Sequence, residues 1–225
     1  MDNGRKINIL FEDNHVLVVE KPPNMLTQSD ITGDEDLLSL LKEDLKQRYN
    51  KPGNVYLGLV HRLDRPVGGA MVFAKTSKAA SRLSEQIRKG ELDKSYMAVL
   101  HGEPEQSSGM LVNYLVKDSK SNTVSVALSP DEGKKASLDY TVKGSKDGLS
   151  LVDIKLHTGR SHQIRVQFAA AGYPLYGDQK YGASLNKPGM QLALWSAEVG
   201  FMHPTLKQYM SFRSSPPAAY PWNLF

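Results

Sequence analysis

HRLDRPVGG, residues 61–69, sets one carboxylate, Asp64, among two arginines and between two apolar segments. Apolar residues recur through positions 57–63, and the run AMVFA at positions 70–74 follows the motif. These patterns predict two buried strands joined by a loop that carries Asp64. A carboxylate held beside cationic groups is a candidate for catalysis, because its surroundings control its charge.

The loop itself is predicted to be short and stiff. Pro66 biases Arg65 toward an extended backbone, and Gly68-Gly69 allows backbone angles or close approaches that a side chain would block. An isolated loop aspartate more often forms a surface ion pair, here with Arg62 or Arg65. The residues around Asp64 alone leave both arrangements open.

A second block of sequence contains HTGRSHQIR at positions 157–165 and PLYGD at 174–178. Alternating apolar residues at 152–156 predict a half-buried strand before it. A helix should begin near Ser161 and end where Gly172 allows a left-handed backbone. This helix would carry Arg165.

A third segment, KSYMAVL at positions 94–100, is predicted to be a strand. It follows a helix expected to start at Ser77 and stop at Gly90, and another helix should begin at Asp36. Tyr96 lies within the strand, where most tyrosines simply pack in the core.

Taken together, these motifs resemble those of the RluA-type RNA pseudouridine synthases. The resemblance begins near residue 8 and covers nearly the whole chain. It implies that Asp64 is the catalytic aspartate, that Arg165 pairs with it, and that Tyr96 packs on the target base. It also suggests that Arg62 helps to displace or replace the flipped nucleotide.

The resemblance implies an α+β fold: a mixed, mostly antiparallel sheet with flanking helices and loops, and a catalytic cleft across its middle. The implied reaction breaks the bond from uridine N1 to the sugar, turns the base, and rejoins it through C5. The route is open: Asp64 would act covalently, or as a base that removes a sugar proton. The reaction needs no redox step, and we expect neither cofactor nor metal.

Three positions depart from the family pattern, namely Val67, Gln167 and Trp195. They leave room for an RNA-binding or RNA-chaperone protein whose synthase chemistry is lost or secondary. A hydrolase using Asp64 and a second carboxylate is a further alternative, with Asp178 and Asp153 as candidates only by residue type.

The composition fits a soluble enzyme domain. The 225 residues carry a formal charge of +4, which permits RNA binding. The chain has no cysteine, which excludes disulfides and cysteine-ligated zinc. We expect a single catalytic domain over 1–225 without an S4 RNA-binding domain, a signal peptide or a membrane span. The expected partner is structured RNA, a ribosomal or transfer RNA stem-loop, bound by a cytoplasmic monomer.

Overall fold

Eleven β-strands and three α-helices make up residues 7–225, the part of the chain that the structure, a computed structural model, describes. In chain order these elements are β1 (Asn8–Glu12), β2 (Val16–Lys21), α1 (Leu37–Arg48), β3 (Gly58–Leu59), β4 (Gly68–Ala74), α2 (Ser77–Lys89), β5 (Asp93–His101), β6 (Ser108–Asp118), β7 (Thr123–Val126), β8 (Lys134–Lys146), β9 (Leu149–Leu156), α3 (Gln163–Ala170), β10 (Leu194–Met202) and β11 (Tyr209–Arg213). Short 3₁₀ helices lie at Pro130–Glu132 and Trp222–Leu224. The predicted α+β class is confirmed.

The elements group into two compact units. The first runs to Asp93 and also takes in Ser196–Ser215, and the second comprises Lys94–Trp195 with Pro216–Phe225. The single domain expected over 1–225 stays a prediction.

In the first unit the strand order is β1-β2-β4-β10, with β3 beside β4 and β11 beside β10. All seven residues of β4 are buried, so the apolar run at 70–74 is confirmed as a buried strand. Val18 of β2 and Val72 of β4 share a core with Leu83 of α2. Antiparallel pairing of β2 with β4 sets Lys21 opposite Gly69, directly after the Asp64 loop.

The caps of the first two helices agree with the predicted boundaries. The Asp36 carboxylate accepts a hydrogen bond from the Ser39 N–H at 3.0 Å and starts α1. The Thr76 hydroxyl accepts from the Ala79 N–H at 3.1 Å and starts α2. Gly90, with φ of 75°, ends α2 in the left-handed conformation that glycine adopts without steric cost.

The predicted strand before the Asp64 loop is wrong over most of its length, since only Gly58–Leu59 pairs as a strand. Side chains take the backbone hydrogen bonds that a longer strand would use. The His61 imidazole Nε2 accepts from the Val72 N–H at 3.0 Å, and the Thr27 hydroxyl donates to the Leu63 carbonyl at 2.8 Å. Gly68-Gly69, expected in the loop, instead begins β4.

In the second unit the strand order is β5-β9-β8-β6-β7, and each of these pairs is antiparallel. Val152 and Ile154 of β9 are buried while Asp153 between them is exposed, as the alternating pattern predicts. Tyr96 of β5 lies opposite Ile154.

Helix α3 begins at Gln163, two residues after the expected start near Ser161. The difference arises at His162, whose φ of 51° is left-handed and therefore outside the helix. The predicted end is confirmed: Gly172 has φ of 88°, and the Tyr173 N–H donates to the Phe168 carbonyl at 2.9 Å.

Candidate active site

Three hydrogen bonds fix the backbone of the Asp64 loop. The Val67 N–H donates to the Asp64 carbonyl at 3.0 Å and closes a tight turn. The Thr27 hydroxyl binds the carbonyl of Leu63, and the Lys21 ammonium binds the carbonyl of Arg65 at 3.1 Å. The peptide carbonyls on both sides of Asp64 are therefore held by side chains from the preceding strand and loop.

Lys21 is fully buried beneath this loop. Its Nζ also donates to the carbonyls of Pro22 and Met25, at 3.0 and 2.6 Å, so all three ammonium protons have acceptors. Burial lowers the pKa of Lys21 to about 7, and the negative charge of Asp64 acts against this shift. Below a pH of about 7, Lys21 therefore places a buried positive charge in the electrostatic environment of Asp64.

The arginines flanking Asp64 do not form the surface pair that an isolated loop aspartate would favour. Arg65 instead forms an exposed ion pair with Asp34, at 2.7 Å. Arg62 is exposed, and its side chain forms no ion pair with residues 7–225. Its guanidinium is thus open to solvent next to the candidate catalytic carboxylate.

Arg165 and Asp178 form a buried bidentate ion pair in the second unit. Arg165 Nε and Nη2 each donate to one carboxylate oxygen at 2.8 Å, and the two residues are 7% and 1% exposed. The Lys180 and Tyr181 N–H groups bond the same carboxylate. Burial would raise the pKa of Asp178, but the Arg165 hydrogen bond and charge and these N–H groups outweigh it and lower the pKa.

This geometry argues against Asp178 as the second carboxylate of a hydrolase. A general acid must be protonated at neutral pH, whereas Asp178 is held ionised. Asp153 is exposed and lies 3.7 Å from Lys143, an ordinary surface ion pair. Asp178 therefore forms a buried structural ion pair and Asp153 an exposed one, and neither is placed to act as the second carboxylate of a hydrolase.

Tyr181 connects Arg165 with His162. Its ring lies 5.1 Å from the Arg165 guanidinium carbon, in a cation–π contact. Its hydroxyl accepts from the Val124 N–H and lies 2.6 Å from His162 Nδ1. The guanidinium of Arg165 is thereby held between a carboxylate and an aromatic ring, which fixes its direction.

The four predicted site residues divide between the two units. Asp64 and Arg62 belong to the first unit, and Tyr96 and Arg165 belong to the second. Tyr96 is 7% exposed in β5, on the strand face that also carries buried Ala98.

The departures from the family pattern are all buried residues with packing or hydrogen-bonding contacts. Val67 and Trp195 are 2% and 6% exposed. Gln167 is 1% exposed, and its amide Nε2 donates to the Leu111 carbonyl and the Asn113 side chain, at 3.1 and 2.8 Å. Gln167 therefore anchors α3 to β6, a role that needs no aromatic ring.

The structural roles of two residues of this site were not inferred from sequence. Lys21 was assigned no role, and Asp178 was considered only as the second carboxylate of a hydrolase. The signal for Lys21 was its position at the end of a continuous apolar strand, VLVV at 16–19. For Asp178 the signal was a lone acid in the block that follows Arg165.

Among residues 7–225, no group of three or more His, Cys, Asp or Glu side chains is arranged to hold a metal ion. Within the same residues, no helix has both the length and the apolar character needed to cross a bilayer.

Comparison with known proteins identifies the family. A model of the RNA pseudouridylate synthase family matches residues 15–170. An uncharacterized RNA pseudouridine synthase of Bacillus subtilis is 34% identical over 212 residues, covering 94% of this chain and 73% of the relative. Ribosomal large subunit pseudouridine synthase D of Zymomonas mobilis is 31% identical over 221 residues, covering 94% of this chain and 69% of the relative.

A solved structure supports the fold. Human RNA pseudouridylate synthase domain containing 4 superposes with a TM-score of 0.79 at 21% identity, covering 96% of this chain and 91% of the human chain. The family model spans well over half of the sequence, so the chain belongs to the RNA pseudouridylate synthase family and is an RNA-modifying isomerase.

Proposed function

We propose that this enzyme converts a specific uridine in a structured RNA to pseudouridine, with Asp64 as the catalytic residue. The observation that carries the proposal is the anchoring of the Asp64 loop. The carbonyls of Leu63 and Arg65 accept from Thr27 and Lys21, so the carboxylate between them has a fixed backbone. Such preorganisation is what a reacting group needs.

Asp64 acts by one of two routes. As a nucleophile, it forms a covalent bond to the sugar or base while the bond from N1 to the sugar breaks. As a base, it removes a sugar proton and so allows the same bond to break. In both routes the freed base turns and C5 bonds to the sugar. The bond to Asp64 then breaks, or the sugar proton is returned, while C5 loses its proton and N1 gains one. The product is therefore an isomer of uridine, and no electrons enter or leave.

Arg165, Tyr96 and Arg62 are proposed to bind the target nucleotide or to orient the catalytic group. Arg165 would pair with the Asp64 carboxylate and favour its ionised form. Tyr96 would pack on the uracil ring after the nucleotide leaves the helical stack. The exposed guanidinium of Arg62 supports a role in filling the space that the extruded base leaves.

The proposed substrate is a stem-loop of ribosomal RNA, with transfer RNA as the second candidate. A relative named ribosomal large subunit pseudouridine synthase supports the ribosomal assignment. The formal charge of +4 is compatible with phosphate contacts in either RNA. We further propose that the enzyme works in the cytoplasm as a monomer.

The test is to map pseudouridine in ribosomal and transfer RNA from the source organism without this gene. Wild type, Asp64→Asn or Asp44→Asn is then restored. Asp44→Asn is the matched control, because it makes the same chemical change in an exposed ion pair with Arg48. We expect defined sites to vanish and to return with wild type and Asp44→Asn only.

Purified Asp64→Asn should remain folded and bind the mapped RNA, while turnover falls by about 1,000-fold or more. Substantial turnover by folded Asp64→Asn would remove Asp64 from the mechanism. If no RNA site depended on the gene, a binding protein without synthase activity would be the better description.

A further inference from the structure

A cavity of about 620 Å³ lies in the second unit, between the β6–β7 hairpin and the loop before α3. Its volume is within the range of small-molecule sites, about 300–1,000 Å³. The buried side chains of Leu115 and Val124 line its apolar part. An apolar surface of this kind suits the face of an aromatic base.

Both walls of the cavity are fixed by close packing or hydrogen bonds. On one side, a Cβ at Gly133 would lie 2.9 Å from the Tyr114 carbonyl carbon, so the 3₁₀ segment packs tightly on β6. On the other side, the Arg160 N–H donates to the Gln163 side chain at 3.0 Å, and Arg160 Nε donates to the Lys135 carbonyl at 3.1 Å. The cavity is therefore largely preformed.

Charged groups of both signs line the rim. Lys117, Lys134 and Arg160 are basic, and Asp131 and Glu132 are acidic. Four of these side chains form no ion pair with any residue in 7–225, although all four line one cavity: Lys117, Lys134, Asp131 and Glu132. Cations and carboxylates without partners around an apolar surface fit a ligand that carries an anion and hydrogen-bond donors.

We propose that this cavity binds a guanine nucleotide of the RNA substrate. The phosphate contacts Arg160, Lys117 and Lys134, since guanidinium and ammonium groups form charge-assisted hydrogen bonds to phosphate. The base lies against Leu115 and Val124. The inference rests on the proposed function in taking RNA as the ligand.

Guanine is favoured by the acidic side of the cavity. Its N1–H and 2-amino groups are adjacent donors, and one carboxylate can accept from both. Uracil presents a single N–H between two carbonyl oxygens, which Asp131 and Glu132 would repel. Unpaired RNA bases are commonly read along this edge.

The first test uses nuclear magnetic resonance of the whole protein, titrated with 5′-GMP and with 5′-UMP. GMP should shift the amide signals of Gly133, Lys134 and Gly159, with a Kd lower than that of UMP by about fivefold or more. The double variant D131N/E132Q should bind the two nucleotides equally. The double variant K117A/K134A should weaken both and lessen the salt dependence of binding.

K146A is the matched control, because Lys146 is an exposed lysine at the far end of β8 from Lys134. It should bind both nucleotides as wild type does. Equal binding of GMP and UMP to wild type, or signal shifts confined to other residues, would overturn the proposal. A dispersed spectrum in each variant verifies that it is folded.

A second measurement separates RNA from a free nucleotide as the source of the ligand. A short oligoribonucleotide with one guanosine should bind more tightly than GMP, and replacing that guanosine with uridine should remove the gain. If GMP binds as tightly as the oligoribonucleotide, the cavity is a site for a free nucleotide and the RNA assignment fails. These titrations need no turnover, so their outcome is independent of the Asp64→Asn test.

Discussion

Removing the carboxylate of Asp178 should strongly destabilise the protein. In Asp178→Ala, Arg165 loses two buried charge-assisted hydrogen bonds of 2.8 Å, each worth about 1.5–3 kcal/mol. The N–H groups of Lys180 and Tyr181 lose their acceptor as well. Removing one partner of a buried pair costs about 3–5 kcal/mol, so we expect a loss near 4 kcal/mol.

Urea unfolding followed by circular dichroism measures this loss, and a thermal scan should show a fall in Tm of roughly 12 °C for a chain of this length. Asp153→Ala is the control, because the pair with Lys143 is longer, at 3.7 Å, and about half exposed. It should cost less than about 1 kcal/mol. If Asp178→Ala were within about 1 kcal/mol of this control, the buried pair would not have the importance inferred from its geometry.

Three further outcomes follow from the same structure. The pKa of Asp178 is lowered, so the stability that this carboxylate contributes is complete above pH 3.8, its usual pKa, and is lost as the pH falls below that value. The difference in unfolding free energy between wild type and Asp178→Ala should therefore narrow below pH 3.8 and nowhere else in the acid range. Burial lowers the pKa of Lys21 from 10.5 to about 7, so between about pH 7 and pH 10.5 the folded state binds fewer protons than the unfolded chain. The stability of wild type relative to Lys21→Met should therefore increase as the pH rises from about 7 to 10.5. A pH-independent difference would contradict this assignment. Gly69→Ala should lower the free energy of unfolding by about 3–5 kcal/mol, because Gly69 has φ of 115° and a Cβ there would lie 2.7 Å from the Ser196 nitrogen. The control Gly148→Ala has φ of 72° and open space around it, so it should lower this free energy by only about 1–2 kcal/mol. Urea unfolding measures both losses.

Helix boundaries were the most predictable part of the fold, because their signals are local. Thr76 and Gly90 lie at the two ends of α2, and each acts through residues within one turn. The strand expected before Asp64 failed for the opposite reason. The hydrogen-bond partners of that segment are Thr27 and Val72, which lie outside it in the sequence. Hydrogen bonds that involve side chains replace those of a strand pair there, and the apolar pattern is the same in both cases.

The sequence motifs predicted which residues belong to the candidate site, but not the contacts that those residues form. Asp64, Tyr96, Arg165 and Arg62 were identified from their motifs, and their catalytic roles remain predictions. The buried state of Lys21 had only one signal in the sequence, its position after the apolar run VLVV, and that signal is weak because lysine is almost never fully buried without partners. Its three acceptors are backbone carbonyls, which carry no signature in the sequence.

The strand β4 has a consequence for how the enzyme moves. Its seven residues are all buried, and it begins four residues after Asp64. Amide hydrogens in such strands exchange with solvent mainly through openings whose free energy approaches that of global unfolding. The carboxylate is therefore attached to one of the slowest-opening segments of its unit, and adaptation during substrate capture must come chiefly from the RNA.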